Sequence, residues 1–171
     1  MSGNRLGIIG LGRIGKAIAR RAEAFGMIIG YHSRRRQSDV AYDYYDNALD
    51  LARSVKILVL SCPGGKETKR IVSREVIEAL GKDGYLINVS RGSTVDEPAL
   101  VDALVGGRLG GAGLDVFAAE PKVPEALFKL DNVVLQPHVS SGTVATRTAM
   151  GQLVVDNLAA FFAGKPLVTQ V

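Results

Sequence analysis

Apolar runs of strand length alternate with amphipathic helical stretches along nearly the whole chain. That rhythm belongs to a mostly parallel sheet with helices on both faces, an α/β doubly wound fold of Rossmann type. Strands are predicted over 6–9, 27–31, 56–60, 85–88, 113–116 and 132–135, and helices over 14–25, 47–52, 74–80 and 97–104. Thr94 and Glu97 have capping-box spacing, which marks the start of the last of these helices. A final long helix is predicted from about 143 to 162. There Met150, Leu153, Val154, Leu158, Phe161 and Phe162 recur at three- and four-residue steps and form one apolar stripe.

With 171 residues, the chain is long enough for one domain with a substantial core and short for two. Cys62 is the single cysteine, so no internal disulfide forms and a reducing, cytoplasmic setting is expected. No apolar run approaches the ~20 residues of a membrane span. The opening Met1-Ser2-Gly3-Asn4-Arg5 leads straight into a strand, so no leader peptide is expected. A net charge of +4 suits an anionic ligand. The only basic cluster, Arg34-Arg35-Arg36, has no interleaved aromatics and does not argue for nucleic acid. No metal site is expected.

Gly10-Leu11-Gly12-Arg13-Ile14-Gly15 is a G-x-G-x-x-G run. Such a run is weak evidence alone, but this one follows an apolar strand and opens a helix with Ile14, Ala17, Ile18 and Ala22 on its apolar face. The first glycine permits a tight turn, the second lets backbone approach a pyrophosphate, and the third lets helix and strand pack closely. The helix start then offers free N–H groups to phosphate. Dinucleotide domains that take NAD place a carboxylate roughly twenty residues on, for the ribose 2′-OH. Here the second strand runs instead into His32-Ser33-Arg34-Arg35-Arg36. A hydroxyl followed by guanidinium groups suits a 2′-phosphate, which points to NADP in preference to NAD. Ser33, Arg34 and Arg35 are the expected contacts, with Arg36 toward solvent and His32 at the rim.

Three later segments fall where strand C-termini meet a ligand: Asn88-Val89-Ser90-Arg91-Gly92, the stretch from Gly113 through Asp115-Val116-Phe117 to Glu120-Pro121, and Pro137-His138. Arg91, Asp115, Glu120 and His138 are therefore expected to converge. Together with Gly10 to Gly15, Cys62-Pro63 and Thr68, these segments resemble the D-isomer-specific 2-hydroxyacid dehydrogenases over nearly the whole chain. The run Leu109-Gly110-Gly111-Ala112-Gly113-Leu114 and the ending Gly164-Lys165-Pro166-Leu167 resemble the plant-type hydroxypyruvate and glyoxylate reductases and hydroxyphenylpyruvate reductases.

That resemblance implies reversible hydride transfer between a nicotinamide and C2 of a small 2-oxo acid. It implies Arg91 as the clamp on the substrate's carboxylate and carbonyl oxygen, His138 as general acid, and Glu120 as the group that holds His138 and favours its imidazolium. It makes Asp115 the residue that positions the nicotinamide end, counts Val89, Ser90, Arg91 and His138 among the cofactor contacts, and sets Cys62, Pro63 and Thr68 along the adenosine side. Cys62 itself is read as a small packed residue. Family members commonly carry Gly where Ser140 stands, and the Gly64-Gly65-Lys66 stretch is looser than usual. They are also nearly twice as long, with an N-terminal segment that builds most of a substrate domain. Residues 1–171 are thus read as the NAD(P)-binding domain of such an enzyme, active poorly or not at all alone, with about 143–171 reaching toward the other domain. A homodimer through the cofactor domain is implied. The alternative is a non-catalytic NADP-binding and dimerisation module.

Overall fold

The computed structural model describes residues 2–170. The chain divides into two compact units, Met1–His138 and Val139–Val171. In the first, β1 (Arg5–Ile9), β2 (Ile28–His32), β3 (Asp43–Tyr44), β4 (Ile57–Leu60), β5 (Tyr85–Asn88), β6 (Gly111–Leu114) and β7 (Val133–Leu135) form one sheet. The strand order is β3-β2-β1-β4-β5-β6-β7 and every pairing is parallel. Helices α1 (Arg13–Ala24), α2 (Ala48–Ser54), α3 (Arg74–Leu80) and α4 (Glu97–Val105) make the crossovers.

Two apolar clusters fill the faces. Ile8, Leu6, Ile29 and Tyr31 pack under Ala19 and Ala22 of α1, whereas Ile9, Leu58, Leu60 and Leu86 pack with α2, α3 and α4. Alternate residues of a strand point to opposite faces, so Ile8 and Ile9 serve different clusters. Winding runs outward from β1 in one direction and from β4 in the other. The carboxyl ends of β1 and β4 therefore flank the crevice where ligands bind in open α/β sheets.

The structure departs from the sequence reading in three places. The short strand β3 was not expected, because a two-residue edge strand carries no apolar alternation. β6 starts two residues earlier than predicted. Gly111 fits there because a Cβ would come within 2.6 Å of the Asn132 carbonyl oxygen, while Val116 and Phe117 are buried in the loop beyond the strand. Thr94 does not cap α4. Its hydroxyl donates to the Arg91 carbonyl at 2.6 Å, and the Asp96 side chain accepts from Ala99 N–H instead.

In the second unit, α5 (Val144–Phe162) begins at Thr143, whose hydroxyl oxygen accepts from Thr146 N–H at 3.1 Å. No residue of α5 is buried, and Val144 and Val155 broaden the exposed apolar surface beyond the six expected positions. No helix among the described residues is long and apolar enough to cross a membrane.

Candidate functional site

The loop between β1 and α1 is held by backbone. Gly10 adopts φ 95°, a conformation that side-chain-bearing residues rarely reach, and its N–H donates to the His32 carbonyl at 2.8 Å. A Cβ on Gly10 would lie 2.6 Å from the Cys62 backbone, and one on Gly15 would lie 2.3 Å from the Gly10 carbonyl oxygen. Those two glycines join strand, helix and the β4 loop. Gly12 differs: a Cβ there would meet nothing within 4 Å. It is the N-cap of α1, no side chain caps it, and the first turn holds no acidic residue. The helix start is thus an open cradle of unsatisfied N–H groups, the shape and polarity a pyrophosphate requires. Ser61 fixes the loop from β4 by donating to the Gly10 carbonyl at 2.7 Å.

A cavity of about 890 Å³ runs from this loop along the ends of β2 and β4. Gly10, Leu11 and Gly12 border it, as do Ser33, Arg34, Arg35, Cys62, Pro63 and Thr68. Ser33 donates to the Arg35 carbonyl at 2.6 Å, and the His32 ring nitrogen Nδ1 lies 3.0 Å from the Tyr45 carbonyl oxygen. Arg36 turns away and borders a separate hollow with Tyr42 and Tyr45. Thr68 closes the facing wall by donating to the Pro63 carbonyl at 2.7 Å. Cys62 is buried, and burial pushes its thiol up, so it stays a neutral packing group.

Cys62, Pro63 and Gly64 also border a second cavity of about 820 Å³, so the two share a wall. Ile14, Val89, Ser90, Arg91, Glu120 and His138 all face this second space. Arg13 is exposed and borders neither cavity. Asp115, 5 % exposed, also borders neither; its N–H donates to the Asn88 carbonyl at 3.0 Å.

The Arg91 loop is built from buried polar groups. Asn88 accepts from Ser90 N–H at 3.0 Å and donates to the Arg91 carbonyl at 3.1 Å, while Ser90 Oγ donates to the Cys62 carbonyl. Gly92 lets the loop press on its neighbour, since a Cβ would come within 2.0 Å of the Phe117 carbonyl carbon. A Cβ on Gly64 would stand 2.7 Å from Arg91 Cγ, so that glycine leaves room for the arginine side chain.

His138 Nδ1 lies 2.8 Å from Glu120 Oε2, and Glu120 Oε1 accepts from Phe117 N–H at 3.0 Å. The His138 hydrogen bond, and after it the Phe117 N–H, hold the Glu120 carboxyl below the usual range. An ionised carboxylate only accepts, so His138 Nδ1 must carry the proton of this bond, and Nε2 is the nitrogen left for another partner. His138 itself sits at φ 56°, an uncommon conformation that recurs at functional sites. Sequence reasoning overlooked Ser61, Gly64 and Glu67. Ser61 acts by a hydroxyl bond to a loop 51 residues away and Gly64 by close approach to Arg91, and neither leaves a motif. Glu67 is the one acidic residue in the 62–68 segment, and that was the available signal.

Residues 1–140 match the family described as D-isomer specific 2-hydroxyacid dehydrogenase, NAD binding domain. The chain is 61 % identical over 170 residues to hydroxyphenylpyruvate reductase of Plectranthus scutellarioides and 60 % identical to glyoxylate/hydroxypyruvate reductase A of Arabidopsis thaliana. Each match covers 99 % of this chain and 54 % of the relative, so the chain spans about half the length of the curated relatives it matches. Among solved structures, the NADPH-dependent glyoxylate/hydroxypyruvate reductase of Sinorhizobium meliloti, in complex with NADP and malonate, superposes with a TM-score of 0.95 at 51 % identity. That match covers 99 % of this chain and 53 % of the reductase. With the glycine cradle, the two adjoining cavities and the His138–Glu120 pair in place, this chain belongs to the D-isomer-specific 2-hydroxyacid dehydrogenases, as their NAD-binding domain.

Proposed function

We propose that the chain is the cofactor-binding and catalytic half of an NADPH-preferring reductase acting on a small 2-oxo acid such as hydroxypyruvate or glyoxylate. The observation that carries the reading is the His138–Glu120 pair facing one cavity with Arg91, next to the phosphate cradle. Gly10 to Gly15 receive the pyrophosphate, and Cys62, Pro63 and Thr68 line the adenosine side. Ser33, Arg34 and Arg35 receive the 2′-phosphate. Val89 and Ser90, after β5, line the nicotinamide end, and buried Asp115, after β6, positions that end from behind the cavity wall.

The nicotinamide, when bound, supplies the hydride that reduces C2 of the keto acid. Arg91 holds the substrate's carboxylate and carbonyl oxygen through its fork of donors, which fixes C2 and draws charge toward the oxygen. His138 gives its Nε2 proton to that oxygen as the carbonyl becomes an alcohol, acting as general acid. Glu120 stays ionised and keeps the Nδ1 proton in place, which fixes the ring with Nε2 turned to the substrate oxygen. One 2-oxo acid, one hydride and one proton thus become one 2-hydroxy acid.

The same reading gives a homodimer paired through this domain and a cytoplasmic setting, supported by family membership and by the single buried thiol. A monomer mass in light scattering at tens of micromolar would remove the dimer. The cofactor assignment is tested by titrating the protein with NADPH and NADH. One charged hydrogen bond contributes roughly 1.5–3 kcal/mol, and each ~1.4 kcal/mol is tenfold. NADPH is therefore expected to bind about ten- to a hundredfold more tightly than NADH. Equal affinities, or tighter NADH, would end the NADP assignment.

A further inference from the structure

We infer that Glu67 is a specificity-determining residue which competes with the cofactor's 2′-phosphate for Arg34 and so limits the preference for NADPH. The inference rests on the proposed NADP site. Glu67 lies on the wall opposite the β2 end, in the short 3₁₀ turn Lys66–Thr68, and its Oε2 stands 3.7 Å from Arg34 Nη1. Both residues border the larger cavity. Glu67 supplies its only carboxylate among the described residues; the charged groups beside it are Arg34, Arg35 and Lys66.

Neither side of the contact can withdraw easily by moving its backbone. Thr68 ties the Glu67 turn to Pro63 at 2.7 Å, and its N–H donates to the Gly65 carbonyl at 3.3 Å. On the facing side, Ser33 donates to the Arg35 carbonyl and the Tyr44 hydroxyl donates to the Ser33 carbonyl at 3.3 Å. The carboxylate therefore reaches across the cleft to the guanidinium proposed for the 2′-phosphate. NADH, with a 2′-hydroxyl, leaves that pair undisturbed. NADPH must take Arg34 from Glu67 and then keep a dianionic group near the displaced carboxylate. The pair is exposed, 84 % for the Arg34 side chain and 77 % for Glu67, so the effect is modest.

The experiment is calorimetric titration of the wild-type chain, Glu67→Gln, Arg34→Met and the double variant, each with NADPH and NADH. An exposed pair contributes at most about 1 kcal/mol, so Glu67→Gln is expected to tighten NADPH about three- to fivefold. NADH should move less than about twofold. In the Arg34→Met background the gain should shrink to less than about twofold, because only the like-charge repulsion between Glu67 and the 2′-phosphate remains once no guanidinium is left to compete for. An unchanged NADPH affinity in Glu67→Gln, with the wild-type preference intact, overturns the inference. Weaker binding of both cofactors also overturns it, since Glu67 would then be a direct cofactor contact. A gain that stays undiminished without Arg34 overturns the competition. If the wild-type chain shows no preference for NADPH, the underlying NADP reading fails, and that result is distinct from the other three.

Discussion

The two adjoining cavities are made of different material. The larger is framed by backbone: Gly10 and Gly15 let strand, helix and the β4 loop close together, Gly12 leaves the space beside them open, and the open helix start supplies its polarity. The smaller is made of side chains, with Arg91, Glu120 and His138 brought from the ends of three separate strands and held by a buried network behind them. The cradle's glycines lie within six residues and lean only on the ends of β2 and β4, whereas the side-chain constellation depends on β5, β6 and β7 being in register. The cradle should therefore survive changes around β5 to β7, while the catalytic pair should be sensitive to any shift of a loop that carries it.

The largest effect is expected from His138→Asn in a full-length reductase, made by fusing a relative's substrate domain to this chain. Asn tolerates the left-handed φ that His138 adopts, so the backbone is preserved and only the acid is lost. Turnover of hydroxypyruvate should fall about 10²- to 10⁴-fold, with NADPH affinity nearly unchanged. A comparable loss of affinity would show that the two cavities are not separable. The 171-residue chain assayed alone should bind NADPH yet turn over poorly. The His138 and Glu120 side chains are 47 % and 36 % exposed within it, and hydride transfer needs a site shielded from water. Turnover equal to that of the fusion would refute this.

Glycine substitutions sharpen the contrast within the cradle. Gly10→Ala forces a side chain into a positive φ and against Cys62, and should cost roughly 2–4 kcal/mol of stability in denaturant melts. Gly12→Ala meets no protein atom, so stability should stay within about 0.5 kcal/mol. Its methyl group nevertheless enters the space reserved for pyrophosphate, and NADPH binding should weaken about tenfold or more. Equal behaviour of the two variants would mean that Gly12 is a structural glycine like Gly10.

The same division explains what could be read from the sequence. The spacing from Gly10 to Gly15 after an apolar strand is a local pattern, and the structure has the strand, turn and helix it predicts. Arg91, Glu120 and His138 were legible as candidates because each follows a predicted strand at the sheet's carboxyl edge, and family resemblance supplied their roles. Details that depend on tertiary contact were not legible. Thr94 has the right offset for a cap, but Asn88 and the Arg91 carbonyl engage it first. The apolar Val116 drew the expected β6 forward, although glycine at 111 is what the neighbouring Asn132 and Tyr85 demand. The reach of Glu67 to Arg34 depends on two loops facing one another across the sheet's switch point.

The smallest expected effect concerns the protonation of Glu120, and it tests how tightly the side-chain site is held. Its carboxyl is lowered first by the His138 hydrogen bond and then by the Phe117 N–H. A carboxyl lowered in the folded state contributes stability that is present above its unfolded value, near 4.3, and that is lost as pH falls through the lowered folded value. The window therefore lies on the acid side of the ordinary glutamate range. Because the pair is partly exposed, solvent screening keeps the contribution small. Carbon-detected NMR titration should find Glu120 protonating below free glutamate peptides. His138→Asn should move it back toward them, though incompletely, because the Phe117 N–H still favours the anion. If Glu120 titrates with the ordinary glutamates in the native chain, the pair is not formed in solution. If His138→Asn leaves a low value unchanged, the Phe117 N–H alone holds the carboxylate. Either result would mean that His138 is oriented by something other than Glu120, and the side-chain cavity would then need a different account of how its acid is kept in place.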